Sequence, residues 1–117
     1  MRMFRLFGAL AAAVALAACG SAPQLSPEAA RGQGIAKDNG CLACHQSGTV
    51  APDWSGLADS EVLLENGSTV IADDVFLRRS ITEPGADIVA GYTVSMPEND
   101  LTEDEIDAVI AFIREGA

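Results

Sequence analysis

The sequence predicts an all-α domain, three to four helices with one short hairpin, folded around a centre that its own side chains do not fill. Of 117 residues 49% are hydrophobic but only 5% aromatic, and 11 glycines and 5 prolines interrupt the chain. That is material for one domain, and too little for a large self-sufficient core or a multidomain enzyme with a deep cleft. Helix start signals stand at both ends of the folded part, at Ser26 and Thr102. Between them lie a tight cysteine–histidine cluster and turns marked by Gly, Pro and Asn.

Residues 1–18 read as a lipoprotein signal peptide. Arg2 and Arg5 precede a small apolar run from Leu6 to Ala18, too short to cross about 30 Å of hydrocarbon comfortably. The tetrad Leu16-Ala17-Ala18-Cys19 resembles a bacterial lipobox, which makes Cys19 the lipidation site and the first residue after cleavage; an ordinary cleaved signal or an uncleaved anchor are the plainer readings. Cleavage there leaves 99 residues with five basic and 17 acidic side chains, a net charge of −12. Such a balance is the opposite of the basic footprint that a phosphate backbone demands, so nucleic acid is excluded as a partner. Residues 19–25 form a flexible polar tether, and the folded domain spans 26–117.

Ser26-Pro27-Glu28 is a cap, a proline at the first helical position and an acid in the first turn, which predicts a helix over 27–39 stopped by Gly40. The stretch 41–59, with Gly48, Pro52 and Gly56 and no sustained period, reads as irregular loop. Asn66-Gly67 between apolar residues predicts a hairpin over 63–71. Asp73 or Asp74 caps a helix through Thr82, closed by Pro84. In the last helix Thr102 and Glu105 form a capping box, Leu101 and Ile106 a hydrophobic staple, and Ile106, Val109, Ile110 and Ile113 follow helical spacing.

Cys41-Leu42-Ala43-Cys44-His45 is C-x-x-C-H, the attachment signature of c-type haem. Two thiols at this spacing can each add across a vinyl group, and the adjacent imidazole falls on the iron as proximal ligand. A thioredoxin-like redox pair would sit in a βαβ context, which is missing here. A structural zinc site wants four ligands where the mature chain offers two free cysteines and one histidine, although a disulfide or zinc reading stays open. Export agrees with haem c, and a covalent macrocycle supplies the missing core. His45 is the single histidine, so two histidines from one chain cannot ligate the iron. Met1 and Met3 leave with the signal, and Met96, in the rigid loop before Pro97, is the one soft ligand remaining. The alternatives are Met96 as a gap-filling core residue, and an iron left open or bound by Lys37.

The chain resembles the class I cytochromes c, and most closely the cytochrome c domain fused to subunit II of bacterial haem-copper oxidases. The residues that carry the resemblance are Gly40 to His45, Pro52 with Trp54-Ser55-Gly56-Leu57, Ala72-Asp73-Asp74 with Arg78 and Ser80-Ile81, Pro84-Gly85-Ala86 with Gly91-Tyr92, and Met96-Pro97. Together they cover about residues 28–115, nearly all of the mature domain. The resemblance implies a class I cytochrome c fold around one haem c held by Cys41 and Cys44 with His45 and Met96 as metal ligands. It also implies that Pro52 accepts from the His45 ring and that Trp54 and Tyr92 border the propionates, where a loop proline and two core aromatics are the plain alternatives. Arg78 is either a propionate partner or part of a solvated helix face. Two departures stand out: no membrane helices or copper domain precede the haem domain, and Ala36 occupies a position where such domains place an aromatic, which leaves Phe112 without an evident partner.

These features predict an electron carrier and not an enzyme: a lipid-anchored, periplasmic monohaem cytochrome of electron transport, on the periplasmic side of a bacterial membrane, the cytoplasmic one, and serving redox proteins with basic docking faces. The alternative is a haem c subunit of a periplasmic dehydrogenase or oxidase complex. A gas sensor or peroxidase needs an open iron and a polar distal base, and the lack of a second histidine weighs against both.

Overall fold

The computed structural model describes residues 23–117; the expected signal peptide, the expected lipidation site Cys19 and the first part of the expected tether lie outside the described residues. The elements are α1 (Pro27–Asp38), α2 (Cys41–His45), β1 (Glu61–Leu63), β2 (Thr69–Ile71), α3 (Asp74–Thr82) and α4 (Glu103–Glu115). The all-α architecture with one hairpin is thus the observed one, with four helices among the described residues.

Ser26 caps α1 by accepting from the Ala29 amide at 3.1 Å, with Pro27 at the first helical position. Gly40 ends this run at φ 76, a left-handed conformation that glycine adopts at no steric cost. The chain then turns directly into α2, where an irregular loop was expected from 41 onward. One and a half helical turns are too short to show a period, so only the tail of that stretch, 46–59, is loop.

The hairpin begins two residues before the predicted boundary: Glu61 pairs Ile71, Val62 pairs Val70 and Leu63 pairs Thr69, antiparallel. Its turn runs from Leu64 to Ser68, with Gly67 at φ 84 and the Asn66 side chain accepting from the Ser68 amide at 2.9 Å. A third segment joins the same ladder. Leu64 bridges Val89, the Glu65 amide donates to the Ile88 carbonyl at 2.8 Å and the Ala90 amide to that of Leu63 at 2.9 Å. Val62, Leu64, Val70 and Val89 face the core from this small sheet.

Asp73, not Asp74, caps α3, accepting from the Phe76 amide at 2.9 Å, and α4 opens on the predicted capping box between Thr102 and Glu105. The core is built where α4 meets α1. Ala29, Gly32 and Ala36 lie on one face of α1, all buried. A Cβ on Gly32 would stand 1.8 Å from the Ala108 carbonyl oxygen, so the two helices cross with backbone against backbone. Ala36 belongs to that close approach, which explains why an aromatic has no room there. Phe112 instead meets the edge of Trp54, centroids 6.2 Å apart at 77°.

Arg114, in the last turn of α4, ties three elements together. Its guanidinium donates to both Asp59 oxygens, at 2.8 and 3.2 Å, and its Nε to Asp74 at the start of α3. The Arg114 guanidinium, with partial loss of solvation opposing it, holds the Asp59 carboxyl below its ordinary 3.8. Because the folded value is depressed, the pair contributes stability above that pH, and the contribution is lost as pH falls through the folded value. Asp59→Asn keeps a residue tolerant of the φ of 61 found here. The urea midpoint of Asp59→Asn should therefore lie below wild type at pH 7, and the gap should close as acidification carries the protein well below the ordinary 3.8; a gap independent of pH would show that the ion pair is not its source.

Candidate haem site

α2 carries Cys41, Cys44 and His45 on its single turn and a half, held between the end of α1 and the loop that follows. Both cysteines are free thiols and half-buried. Burial pushes the Cys41 thiol above its ordinary range, against a smaller opposing backbone hydrogen bond. His45 Nδ1 lies 2.8 Å from the Pro52 carbonyl oxygen. A carbonyl can only accept, so Nδ1 carries the proton and Nε2 keeps the lone pair that a metal needs. Burial draws the imidazole below its ordinary value, with the Pro52 carbonyl and Asp53 opposing, and so favours this neutral form. Trp54 stacks on the same ring, centroids 4.9 Å apart at 21°. The imidazole is thereby fixed along one edge by a hydrogen bond and on one face by an aromatic plane.

The two cysteines and His45 open into a cavity of about 460 Å³, within the usual range of cofactor sites. Its opposite wall is built by α3, α4 and the loop after Gly91. Leu77 and Ile81 come from α3, Val109 and Ile113 from α4, and Tyr92 and Met96 from the loop. Met96 and Tyr92 are half-buried there, and Pro52 and the buried Trp54 line the same space. Each residue predicted for the site below Cys19 therefore borders one cavity. Lys37 is exposed on α1 and does not line it. Arg78 does not line it either: its guanidinium is engaged with Glu103, at 2.7 Å, and with Asp107 of α4. The solvated helix face, with ion pairs to a neighbouring helix, is thus the role the structure gives Arg78.

Ser80 reads from sequence only as part of the Ser80-Ile81 pair of the family resemblance. It lines the cavity, and its Oγ is the one buried side-chain polar atom among the described residues with no hydrogen-bond partner. Its signal was the helical spacing from Leu77, which places a hydroxyl on the same inward face as Leu77 and Ile81.

These residues fit haem c. Two thiols stand one helical turn apart, an imidazole offers a free Nε2, and a thioether lies across an apolar cavity whose wall includes a hydroxyl awaiting a partner. The class so defined is a c-type haem protein of helical fold. The cytochrome c family model matches residues 29–117, and the chain belongs to that family. Its helices and small hairpin are the class I cytochrome c fold, and the family makes it a haem-containing electron carrier with covalently bound haem c. No curated protein matches the chain.

Proposed function

We propose that this chain is an exported, lipid-anchored cytochrome that carries single electrons between respiratory partners through one haem c, attached at Cys41 and Cys44 and ligated axially by His45 and Met96. One observation carries the reading: the thiols, the imidazole with Nε2 free and the only mature thioether all border a single apolar cavity. Haem c supplies a one-electron ferric–ferrous couple when bound. The chain does the rest. Pro52 and Trp54 orient the imidazole, Met96 supplies a thioether that favours the ferrous state, and Leu77, Ile81, Val109 and Ile113 keep water from the cavity. The resemblance to the domain fused to oxidase subunit II supports a place near a terminal oxidase.

The test is the holoprotein spectrum with its intact mass. Wild type should carry one haem that acid–acetone does not extract, and should show the weak sulfur-to-iron charge-transfer band when oxidised. Met96→Ala should lose that band, and its midpoint potential should fall by on the order of 0.1 V or more, within the roughly 0.8 V that axial ligands span. A band that survives in Met96→Ala would show that the sixth ligand lies elsewhere.

Partner choice follows from charge. Of the acids near the start of α4, Glu103 and Asp107 share the single guanidinium of Arg78 and do not line the cavity. Glu98 and Asp100 border the cavity and join no ion pair among the described residues. They support docking of a partner with a basic face at this rim. Electron transfer to such a partner should slow at least about tenfold as salt rises from low ionic strength to 0.1 M and beyond, where the Debye length drops to about 10 Å. Neutralising Glu98 and Asp100 should flatten that dependence more than neutralising Glu103 and Asp107, which lie off the cavity rim.

A further inference from the structure

Five large hydrophobic residues are conspicuously exposed among the described residues, and three of them line up. In the ladder register, Leu63 lies diagonally across from Ile71 of β2 on one side and from Ile88 of the third segment on the other. Val62, Leu64 and Val89 point inward to the core, so Ile71, Leu63 and Ile88 alternate onto the outward face, 47%, 53% and 46% exposed. Val75, four residues beyond Ile71, is 75% exposed at the start of α3.

The chain itself indicates what covers this face. Leu25 is seated against Gly116, and the Ser26 amide and hydroxyl both donate to Glu115, each at 2.9 Å, so the tether enters at the last turn of α4. Arg114 of that same turn holds Asp59 and Asp74, and the Asp59 amide donates to the carbonyl of Ala72, the residue after Ile71. The point where the tether arrives is thus joined to the open end of the hairpin. Four residue steps separate Cys19 from Pro23, a reach of at most about 14 Å. From the other end of the tether, α1 carries the chain about 18 Å before it reaches Cys41.

We infer that the outward face Ile71–Leu63–Ile88 is the surface on which the domain rests against the bilayer, an inference that depends on lipidation at Cys19. The short tether brings the α4 end of the domain to the membrane, and the apolar diagonal beside it meets the headgroup boundary. The haem attachment helix then stands at the far end of α1, clear of the lipid. Glu61 and Glu65 border the diagonal, so the surface suits zwitterionic headgroups and is repelled by anionic ones.

The experiment uses the lipidated holoprotein with Leu63→Cys, Ile88→Cys or Lys37→Cys. With lipid on Cys19 and haem on Cys41 and Cys44, the introduced cysteine is the one free thiol. Its alkylation by a charged, membrane-impermeant maleimide is followed by intact mass in phosphatidylcholine vesicles, in vesicles rich in phosphatidylglycerol, and for the soluble Cys19→Ser form. Positions 63 and 88 should react at least tenfold more slowly on phosphatidylcholine than in the soluble form, with less protection on phosphatidylglycerol, while position 37 should change less than twofold. Equal rates at 63 and 37 on vesicles for a protein whose mass shows the acyl chains would overturn the docking alone. A mass without acyl chains would remove the anchor and the docking together. Slowing in the soluble form that grows with protein concentration would assign the face to a second copy and overturn the proposal.

Discussion

Gly32→Ala should be the most damaging small substitution in the protein, lowering stability by at least about 3 kcal/mol. Overpacking usually costs about 1–3 kcal/mol because side chains and backbone can shift a little. Here the new Cβ would meet the Ala108 carbonyl at 1.8 Å and the Val109 amide nitrogen at 2.9 Å, both backbone atoms of a helix that cannot yield locally. Relief requires α1 and α4 to separate, which opens the core along Ala29, Ala36 and Val109. For a domain of this size the loss corresponds to a melting point lower by roughly 12–24 °C. Gly34→Ala is the control. A Cβ there meets nothing within 4 Å, and removing a helical glycine should stabilise by about 0.5–1 kcal/mol. Comparable effects from the two substitutions would show that the helices are not in backbone contact.

The second large effect belongs to Trp54. Its ring lies against the His45 imidazole on one side and receives Phe112 at its edge on the other, so it couples the cofactor ligand to the helix crossing. Trp54→Ala leaves a cavity in a buried cluster and should cost about 3–5 kcal/mol. It also frees one face of the imidazole while leaving its hydrogen bond to Pro52 in place. Trp54→Phe keeps an aromatic plane at that face and should recover most of the loss. Urea midpoints of the three holoproteins decide this; a Trp54→Ala variant within about 1 kcal/mol of wild type would mean that the aromatic contacts carry little of the packing.

Local signals made the helix starts legible. Ser26 and Thr102 satisfy amides within three residues of themselves, so their chemistry is visible without knowing the fold. The contiguous Cys41, Cys44 and His45 are legible for the same reason, and Met96 stands out because no other methionine lies beyond residue 3. What sequence could not show depends on partners far along the chain. Ala36 reads from sequence as a missing aromatic, but it is fully buried one turn beyond Gly32, where α1 lies backbone to backbone against α4. Val89 pairs with Leu64 through a single bridge, too little for alternation to mark a strand. Arg78 reads from sequence as a residue of a solvated helix face with a propionate as the other role, and only the placement of α4 beside α3 gives it Glu103 and Asp107.

The seating of α1 on α4 also dictates an order of events during folding. The two helices lie at opposite ends of the described residues, so their contact closes one of the longest loops in the domain, and its entropy must be met before any of the crossing energy is gained. Until α4 has been synthesised, α1 has no partner for Ala29, Gly32 and Ala36, and α2 remains a five-residue turn too short to hold itself helical. The thiols of Cys41 and Cys44 are therefore at their most reachable in the emerging chain, before the last residues arrive. Slowing the arrival of α4 lengthens that interval, and linking the chain ends ahead of time shortens it.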